Sequence, residues 1–543
     1  LQLFKEEYMS ENYDFNVAYP TLRPTMMGAN AVCASQPLAA QAGMKMLMLG
    51  GNAADAAIAT AIALTVLEPS GNGAGSDAFA IVWDGKKAHG LNASGRSPAA
   101  WTPEYFADKG LDAVPTYGWD AVTVPGAVSG WVALAKRFGT LPLTTLAQPA
   151  IDYARNGFPV SPLIGRLWEI AVKKLHNQPG FMECFAPEGR APKIGEIFRN
   201  PALADSLELI ARTEGEAFYR GELAEKIVAH SQAHGGAMTL DDLANHQADW
   251  VETLQQSFAG GSVHELPPNG QGIATLIALG ILDKLNIGSQ PVDSVETTHL
   301  CIEAMKLALA DLDQHVTDSD HMFFDPQLFL NDDYLAERAK LIDRSKASDV
   351  TYGAPRPGGT VYLTTADSSG MMVSFIQSNY MGFGSGVVVP GTGLSMQNRG
   401  CGFTLDPTHA NCVAPNKRTL HTIIPAFAQD AAGKPLMSFG LMGGPMQAQG
   451  HLQLALRVML YKQNPQAAID APRWRINGGR QVAIESTFNH NTLAALRAMG
   501  HELIVEDPLG GHSFGGAQVI VTNPAGGYLA GTESRKDGQA LVM

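Results

Sequence analysis

The sequence predicts an α+β fold in which packed sheets are covered by helices. Three observations predict it. Apolar residues make up 45% of the chain and charged residues only 17%, a balance that requires a large buried core and excludes a disordered or fibrous chain. Residues 120 to 250 read as mostly helical. From residue 360 onward the texture changes to short β-rich runs separated by glycine. The 543 residues suffice for three domains of about 100–200 residues each, or for one large domain.

The elements follow in order. The chain opens at Leu1, and Met9-Ser10-Glu11 reads as a native start, so residues 1–8 are set aside and residues 1–27 form an N-terminal extension. Asn52 is a good N-cap for a buried helix over 53–67. A glycine-rich turn over 70–76 and a strand over 78–83 follow. Dinucleotide binding needs strand, glycines and helix in that order, and here the order is reversed. Helices are expected over 128–138, 146–156, 223–234 and 297–313, punctuated by Gly and Pro. His299 and Glu303 lie one turn apart on the last of these. With no third ligand nearby in the sequence, an ordinary polar helix face is the favoured reading over a metal site. Residues 331–348 read as a charged helix, and 349–359 as an exposed linker that marks the best boundary in the chain. Beyond it, strands are expected over 360–365, 371–378, 387–389, 394–397, 419–429 and 436–441, then a helix over 447–462 and strands over 481–485 and 517–522.

Several function classes fall away. Lys plus Arg number 38 against 52 Asp plus Glu, a net charge of −14, and no basic stripe is present to bind a phosphate backbone. Nucleic-acid and membrane partners are therefore not expected. The five cysteines (Cys33, Cys184, Cys301, Cys401, Cys412) are scattered with no CxxC pair, so neither a zinc ribbon nor a disulfide framework is implied. The longest apolar stretch, 56–67, is too short to span a bilayer. No secretory signal is visible, so the expected location is cytoplasmic. No metal or cofactor is expected.

Three segments carry candidate chemistry. Gly511-His512-Ser513-Phe514-Gly515 matches the G-x-S-x-G pattern, but that motif needs a following helix, and a strand pattern follows here. Gly443-Gly444 sits between a strand and a helix, where backbone N–H groups can meet an oxyanion; a tight turn explains it equally well. Gly358-Gly359-Thr360 opens the second half. One reading is a plain strand start. The other is autoprocessing at Gly359–Thr360, which gives Thr360 a hydroxyl nucleophile and a free α-amine with a pKa near 8, able to act as base.

Taken together, ordered motifs resemble the gamma-glutamyltranspeptidase family of N-terminal nucleophile hydrolases, from about Gly28 to the C-terminus. They are Gly50-Gly51-Asn52-Ala53-Ala54-Asp55-Ala56, Thr123-Val124-Pro125-Gly126-Ala127-Val128, Gly139-Thr140-Leu141-Pro142-Leu143 and Pro267-Pro268-Asn269-Gly270-Gln271-Gly272. Thr360 with Asp367 and Gly370, then Pro415-Asn416-Lys417-Arg418 and Gly443-Gly444, complete the series. The resemblance implies a four-layer αββα sandwich of the N-terminal nucleophile hydrolase type, cut at Gly359–Thr360. Residues 28–359 would form a large, mostly helical subunit and 360–543 a small one, intertwined in one globular domain. Thr360 would be nucleophile and general base, Ser378 a hydroxyl partner to it, and Gly443 and Gly444 the oxyanion hole. Arg96 falls where the family grips a substrate carboxylate, a task suited to a bidentate guanidinium.

The departures from the family pattern are specific. Gly402 stands at the position of the aspartate that holds the glutamyl α-ammonium, Arg399 at that of a glutamine and Tyr380 at that of an asparagine, while His421-Thr422 replaces a serine pair. This pocket should disfavour an α-amino group and favour a carboxylate or further oxygen. The expected function is an autoprocessing amidohydrolase that cleaves a small carboxylated amide without an α-amino group, oxamate-like or glutaryl-like. A gamma-glutamyl hydrolase or transferase acting on glutathione-type substrates is the alternative. An unprocessed, non-catalytic relative is an alternative of another class. Beyond association of the two fragments, oligomeric state is left open.

Overall fold

The structure is a computed structural model that describes residues 23–350, 359–508 and 514–543. Of the G-x-S-x-G segment, residues 511–513 lie outside the described residues, as do 351–358 of the expected linker. Two seven-stranded sheets form the centre. The first runs Gln539–Val542, Ala31–Ala34, Gly359–Ala366, Met372–Tyr380, Asp77–Trp83, Ala88–Ala93 and Asp249–Val251. The second runs Met26–Gly28, Tyr528–Thr532, Gly516–Thr522, Pro435–Met442, Ala426–Gln429, Gly261–Glu265 and Leu254–Phe258. Each sheet therefore mixes strands from before and after Gly359.

Strand alternation sorts side chains between two cores. On Asp77–Trp83, Phe79, Ile81 and Trp83 point between the sheets, where they meet Tyr362, Phe427 and Ile520. Ala78, Ala80 and Val82 point the other way, into the helices that cover the first sheet. Helices Gly272–Lys284, Val295–His315 and Met446–Ala455 cover the second sheet. The result is the four-layer αββα order. The helix Ala53–Leu67 is buried on every side, which its alanine-rich surface permits, with Asp55 in the first turn its one charged residue. Its start is fixed by a capping box: Asn52 accepts from the Asp55 amide at 3.0 Å and Asp55 accepts from the Asn52 amide at 2.9 Å.

Three expected elements differ. The charged helix stops at Lys340. Residues beyond it are held by tertiary bonds instead: Asp343 O accepts from His299 Nε2 at 2.8 Å, and Ser348 O accepts from Lys306 Nζ at 2.9 Å. The strand expected over 419–429 forms only at Ala426–Gln429, because Asn269 and Gln271 bind the backbone of His421 and divert it from the sheet. The helix expected over 447–462 is regular over Met446–Ala455 and widens to a π-helical turn at Leu456–Leu460. The fold also brings His501 to His299 and Glu303, a third potential ligand distant in sequence. All three already have protein partners: Glu303 accepts from Lys306 Nζ at 2.8 Å and from the Ser348 amide at 3.0 Å, and His299 Nδ1 meets His501 Nε2 at 2.8 Å.

Buried histidines set an acid limit on stability. Burial pushes His246 and His501 down to about 3; nearby Arg418, Arg96 and Arg220 add to the effect at His246, and Lys306 and His299 at His501. Each is held neutral when folded but takes a proton below about pH 6.5 when unfolded. The stability they permit is therefore intact above pH 6.5 and falls as pH drops toward 3, by up to about 1.4 kcal/mol per pH unit for each group. Thermal melts at pH 7.0, 5.5 and 4.5 should show a falling Tm, and His246→Asn should flatten the slope. An acid slope unchanged by the substitution would contradict this assignment.

Candidate active site

Thr360 is the second residue of strand Gly359–Ala366, near the middle of the first sheet. The ladder to Met372–Tyr380 shifts register between Gly359 and Val361. A bulge of this kind re-aims a side chain, and here it affects Thr360. The threonine hydroxyl donates to the carbonyl oxygen of Gly359 at 2.7 Å and lies 3.2 Å from Ser378 Oγ. Ser378 Oγ also donates to Gly359 O at 2.6 Å and accepts from the Tyr380 amide at 2.8 Å. Two hydroxyls thus converge on one peptide carbonyl. Gly359 has no space for a side chain, since a Cβ there would sit 2.8 Å from the Ser70 carbonyl oxygen.

Gly443 and Gly444 follow strand Pro435–Met442 and precede helix Met446–Ala455. Their φ angles are +128° and +60°, a region that favours glycine. A Cβ on Gly443 would also lie 3.0 Å from Gly515 Cα. Gln271 Nε2 donates to Gly444 O at 2.9 Å and fixes the turn. Among the described residues, neither glycine N–H donates to a backbone acceptor. Gly443 and Thr360 line one cavity of ≈ 590 Å³.

Arg399 is buried beside this region. Its guanidinium stacks on the Tyr380 ring at 4.1 Å, and Nη1 donates to Thr422 Oγ1 at 2.9 Å. Tyr380 in turn pairs across the ladder with Gly359. Arg399 Nε and Nη2 have no hydrogen-bond partner among the described residues. Burial draws the guanidinium pKa down, while Tyr380, Asp77 and Cys401 draw it up. An orphaned pair of buried N–H donors on a cation is costly unless an acceptor fills the place. His421 Nε2 lies 3.1 Å from Asp77 Oδ2, fully buried. Burial raises Asp77 to about 7 and lowers His421 well below the usual range, with Arg399 and Arg418 adding to the latter shift. Arg96 is tied to Asp318 at 2.8 Å, to Asp320 at 3.4 Å and to the Asn416 carbonyl at 3.2 Å.

The structure thus brings Thr360, Gly359, Ser378 and Tyr380 together, with Arg399 and Thr422 alongside. It adds residues that sequence reasoning missed. Asp77 lies across the ladder from Ser378. Its signal was the lone acid that ends the glycine-rich turn and starts a strand. Glu68 and Lys536 line the Thr360 cavity as a buried pair. Burial raises the Glu68 carboxyl and lowers the Lys536 ammonium. Ser35 donates to Glu68 at 2.6 Å.

The αββα sandwich is the fold of the N-terminal nucleophile hydrolases. Comparison with known proteins narrows this. Residues 39–543 match the gamma-glutamyltranspeptidase family, and the chain belongs to it. It is 37% identical to the glutathione hydrolase-like YwrD proenzyme of Bacillus subtilis, covering 93% of this chain and 96% of that one. It is also 37% identical to the oxamate amidohydrolase proenzyme of Klebsiella pneumoniae, with the same coverage, 93% and 96%. Among solved structures, cephalosporin acylase from Bacillus halodurans superposes with a TM-score of 0.91 at 47% identity, covering 98% of this chain and 99% of that one. The protein is a hydrolase acting on amide bonds.

Proposed function

We propose that the chain is an autoprocessing N-terminal threonine amidohydrolase whose substrate carries a carboxylate, and no α-amino group, on its acyl part. The observation that carries this reading is the contact of the Thr360 hydroxyl with the Gly359 carbonyl, 2.7 Å between oxygens, with Ser378 on the same oxygen. In maturation, Thr360 Oγ1 attacks the Gly359 carbonyl carbon. The C–N bond breaks, the hydroxyl proton passes to the amine, and an ester links Gly359 to Thr360. Water hydrolyses the ester, leaving a Gly359 carboxylate and a Thr360 with free hydroxyl and α-amine. Ser378 steadies the oxygen that becomes negative.

In turnover the α-amine takes the Thr360 hydroxyl proton as Oγ1 attacks the substrate amide. The Gly443 and Gly444 amides receive the oxyanion. The amine leaves with the proton, and water then releases the acyl group as a second carboxylate. We assign the substrate carboxylate to Arg399, with Thr422 and Tyr380 holding the guanidinium in place. Its Nε and Nη2 are without partners, whereas Arg96 is already met by Asp318 and Asp320. A buried guanidinium also repels an α-ammonium, and Gly402 offers no carboxylate to offset that. The names of the Klebsiella oxamate amidohydrolase and the Bacillus halodurans cephalosporin acylase support amides other than glutathione. Glutathione-type hydrolysis is the second reading, since a similarly close relative carries that name.

The test is a panel of paired amides with equal leaving amines: oxalyl and glutaryl compounds against γ-glutamyl ones. Higher kcat/KM for the compounds without an α-amino group is expected. Faster turnover of the γ-glutamyl set would overturn the assignment of Arg399.

A further inference from the structure

Helix Pro162–Leu175 turns one apolar stripe toward the Thr360 cavity. Leu167, Ile170, Ala171 and Leu175 recur at spacings of three and four, the spacing of one helix face. Met381 and Phe383, from the loop after strand Met372–Tyr380, form more of the wall. Ile170 leaves 61% of its surface exposed, while Trp168 of the same helix is fully buried in the core. Ala171 and Leu175 also pack into the core, so the stripe joins the core to the cavity wall, with Ile170 as its uncovered member and Lys174 beside it. A concave, largely apolar space of ≈ 590 Å³ lies within the roughly 300–1,000 Å³ range of small-molecule sites. It reaches the two elements where chemistry is assigned, Thr360 and Gly443.

Arg399, Tyr380 and Thr422 do not line this space. If the acyl carboxylate lies with Arg399, the cavity is left for the other half of the substrate. We propose that it is the subsite for the leaving amine, and that the preferred amine bears an alkyl or aryl group rather than being ammonia. This rests on the function proposed above, because the acyl position decides which half enters the cavity. It deepens that reading by naming an apolar amine component. A minimal amide such as oxamate would leave the stripe from Leu167 to Leu175 uncovered. An apolar amine covers it and holds the scissile bond against Thr360.

The test uses N-methyl and N-hexyl glutaramic acids, whose amines are of nearly equal basicity, so that chemistry is held constant while apolar length changes. For the processed enzyme, kcat/KM should be at least about tenfold higher for the hexyl compound, the scale of hydrophobic-pocket discrimination. Ile170→Gln, at an exposed site that folding tolerates, should shrink that ratio severalfold. Equal rates for the two compounds would overturn the proposal while leaving the amidohydrolase reading intact. If neither compound is turned over, the glutaryl form of the proposed function is at fault, and calorimetry decides the cavity separately with N-hexylacetamide and N-methylacetamide, which lack the carboxylate. Tenfold tighter binding of the hexyl probe, weakened by Ile170→Gln, supports the subsite. Equal binding of the two probes overturns it.

Discussion

Replacing Thr360 by alanine should abolish both turnover and chain scission. The substitution removes the hydroxyl beside the Gly359 carbonyl whose attack would free its own α-amine. Ser378 Oγ reaches the same carbonyl oxygen, but its attack would leave no N-terminal hydroxyl residue behind. Loss of a nucleophile costs about 10⁴-fold or more in kcat, with only binding and oxyanion contacts left. Thr360→Ser is the informative partner. It keeps the hydroxyl and the future α-amine, so it should process, more slowly, and retain measurable turnover. Steady-state rates on a carboxylated amide, beside gel analysis of the chain, check both variants. Wild-type rates in Thr360→Ala would show that the nucleophile lies elsewhere.

Arg399→Met should lower kcat/KM on glutaryl and oxalyl amides by roughly 10–100-fold, from about 1.5–3 kcal/mol for hydrogen bonds involving a charged group. The expected loss comes from two donors, Nε and Nη2, that have no protein acceptor among the described residues. Methionine preserves much of the volume over the Tyr380 ring, so the effect reports charge and hydrogen bonding rather than collapse of the pocket. Arg399→Lys should rescue only in part, because an ammonium cannot present two parallel donors or stack as a guanidinium does. The same variant should lose little on amides with neutral acyl groups, which separates carboxylate recognition from general damage. An equal loss on charged and neutral acyl groups would contradict the assignment.

Much of the architecture was legible in the sequence because it is written in local patterns. Asn52 reads as an N-cap, and the helix starts at Ala53, directly after it; the reciprocal bond from Asp55 came only with the structure. Strands near 78–83 and 360–365 were readable from β-branched and aromatic runs, and the observed strands Asp77–Trp83 and Gly359–Ala366 extend them by a residue or two. The misreadings share a cause. The 419–425 segment carries strand-forming residues, but its backbone partners Asn269 and Gln271, which are more than a hundred residues away. The charged 341–348 segment is drawn from helix by His299 and Lys306, which hold its carbonyls.

The site divides in the same way. Motif and spacing put Thr360 and the two glycines forward as candidates beside plainer readings, and the family resemblance chose between them. The proposed work of Arg399 does not, because an arginine with unpartnered nitrogens is a property of burial and neighbours, and the sequence could offer only its contrast with a family pattern. Glu68 and Lys536 lie 468 positions apart, and only the fold makes them a pair beside Thr360. The helix Pro162–Leu175 lies in the stretch that the sequence marks only as mostly helical; its stripe becomes a cavity wall when the structure shows Ile170 uncovered.

The central claim is that the Gly359–Thr360 bond is cut by the chain itself to free the Thr360 amine. Intact mass of the purified protein after incubation, with the N-terminal sequence of each species and Thr360→Ala alongside, tests it most directly. The account predicts that the 57.7 kDa chain gives way to fragments of roughly 38 and 20 kDa, in proportion to residues 1–359 and 360–543, with the smaller beginning at Thr360 and the variant uncut. A wild-type chain that stays whole while folded, or a cut at any other bond, would contradict it.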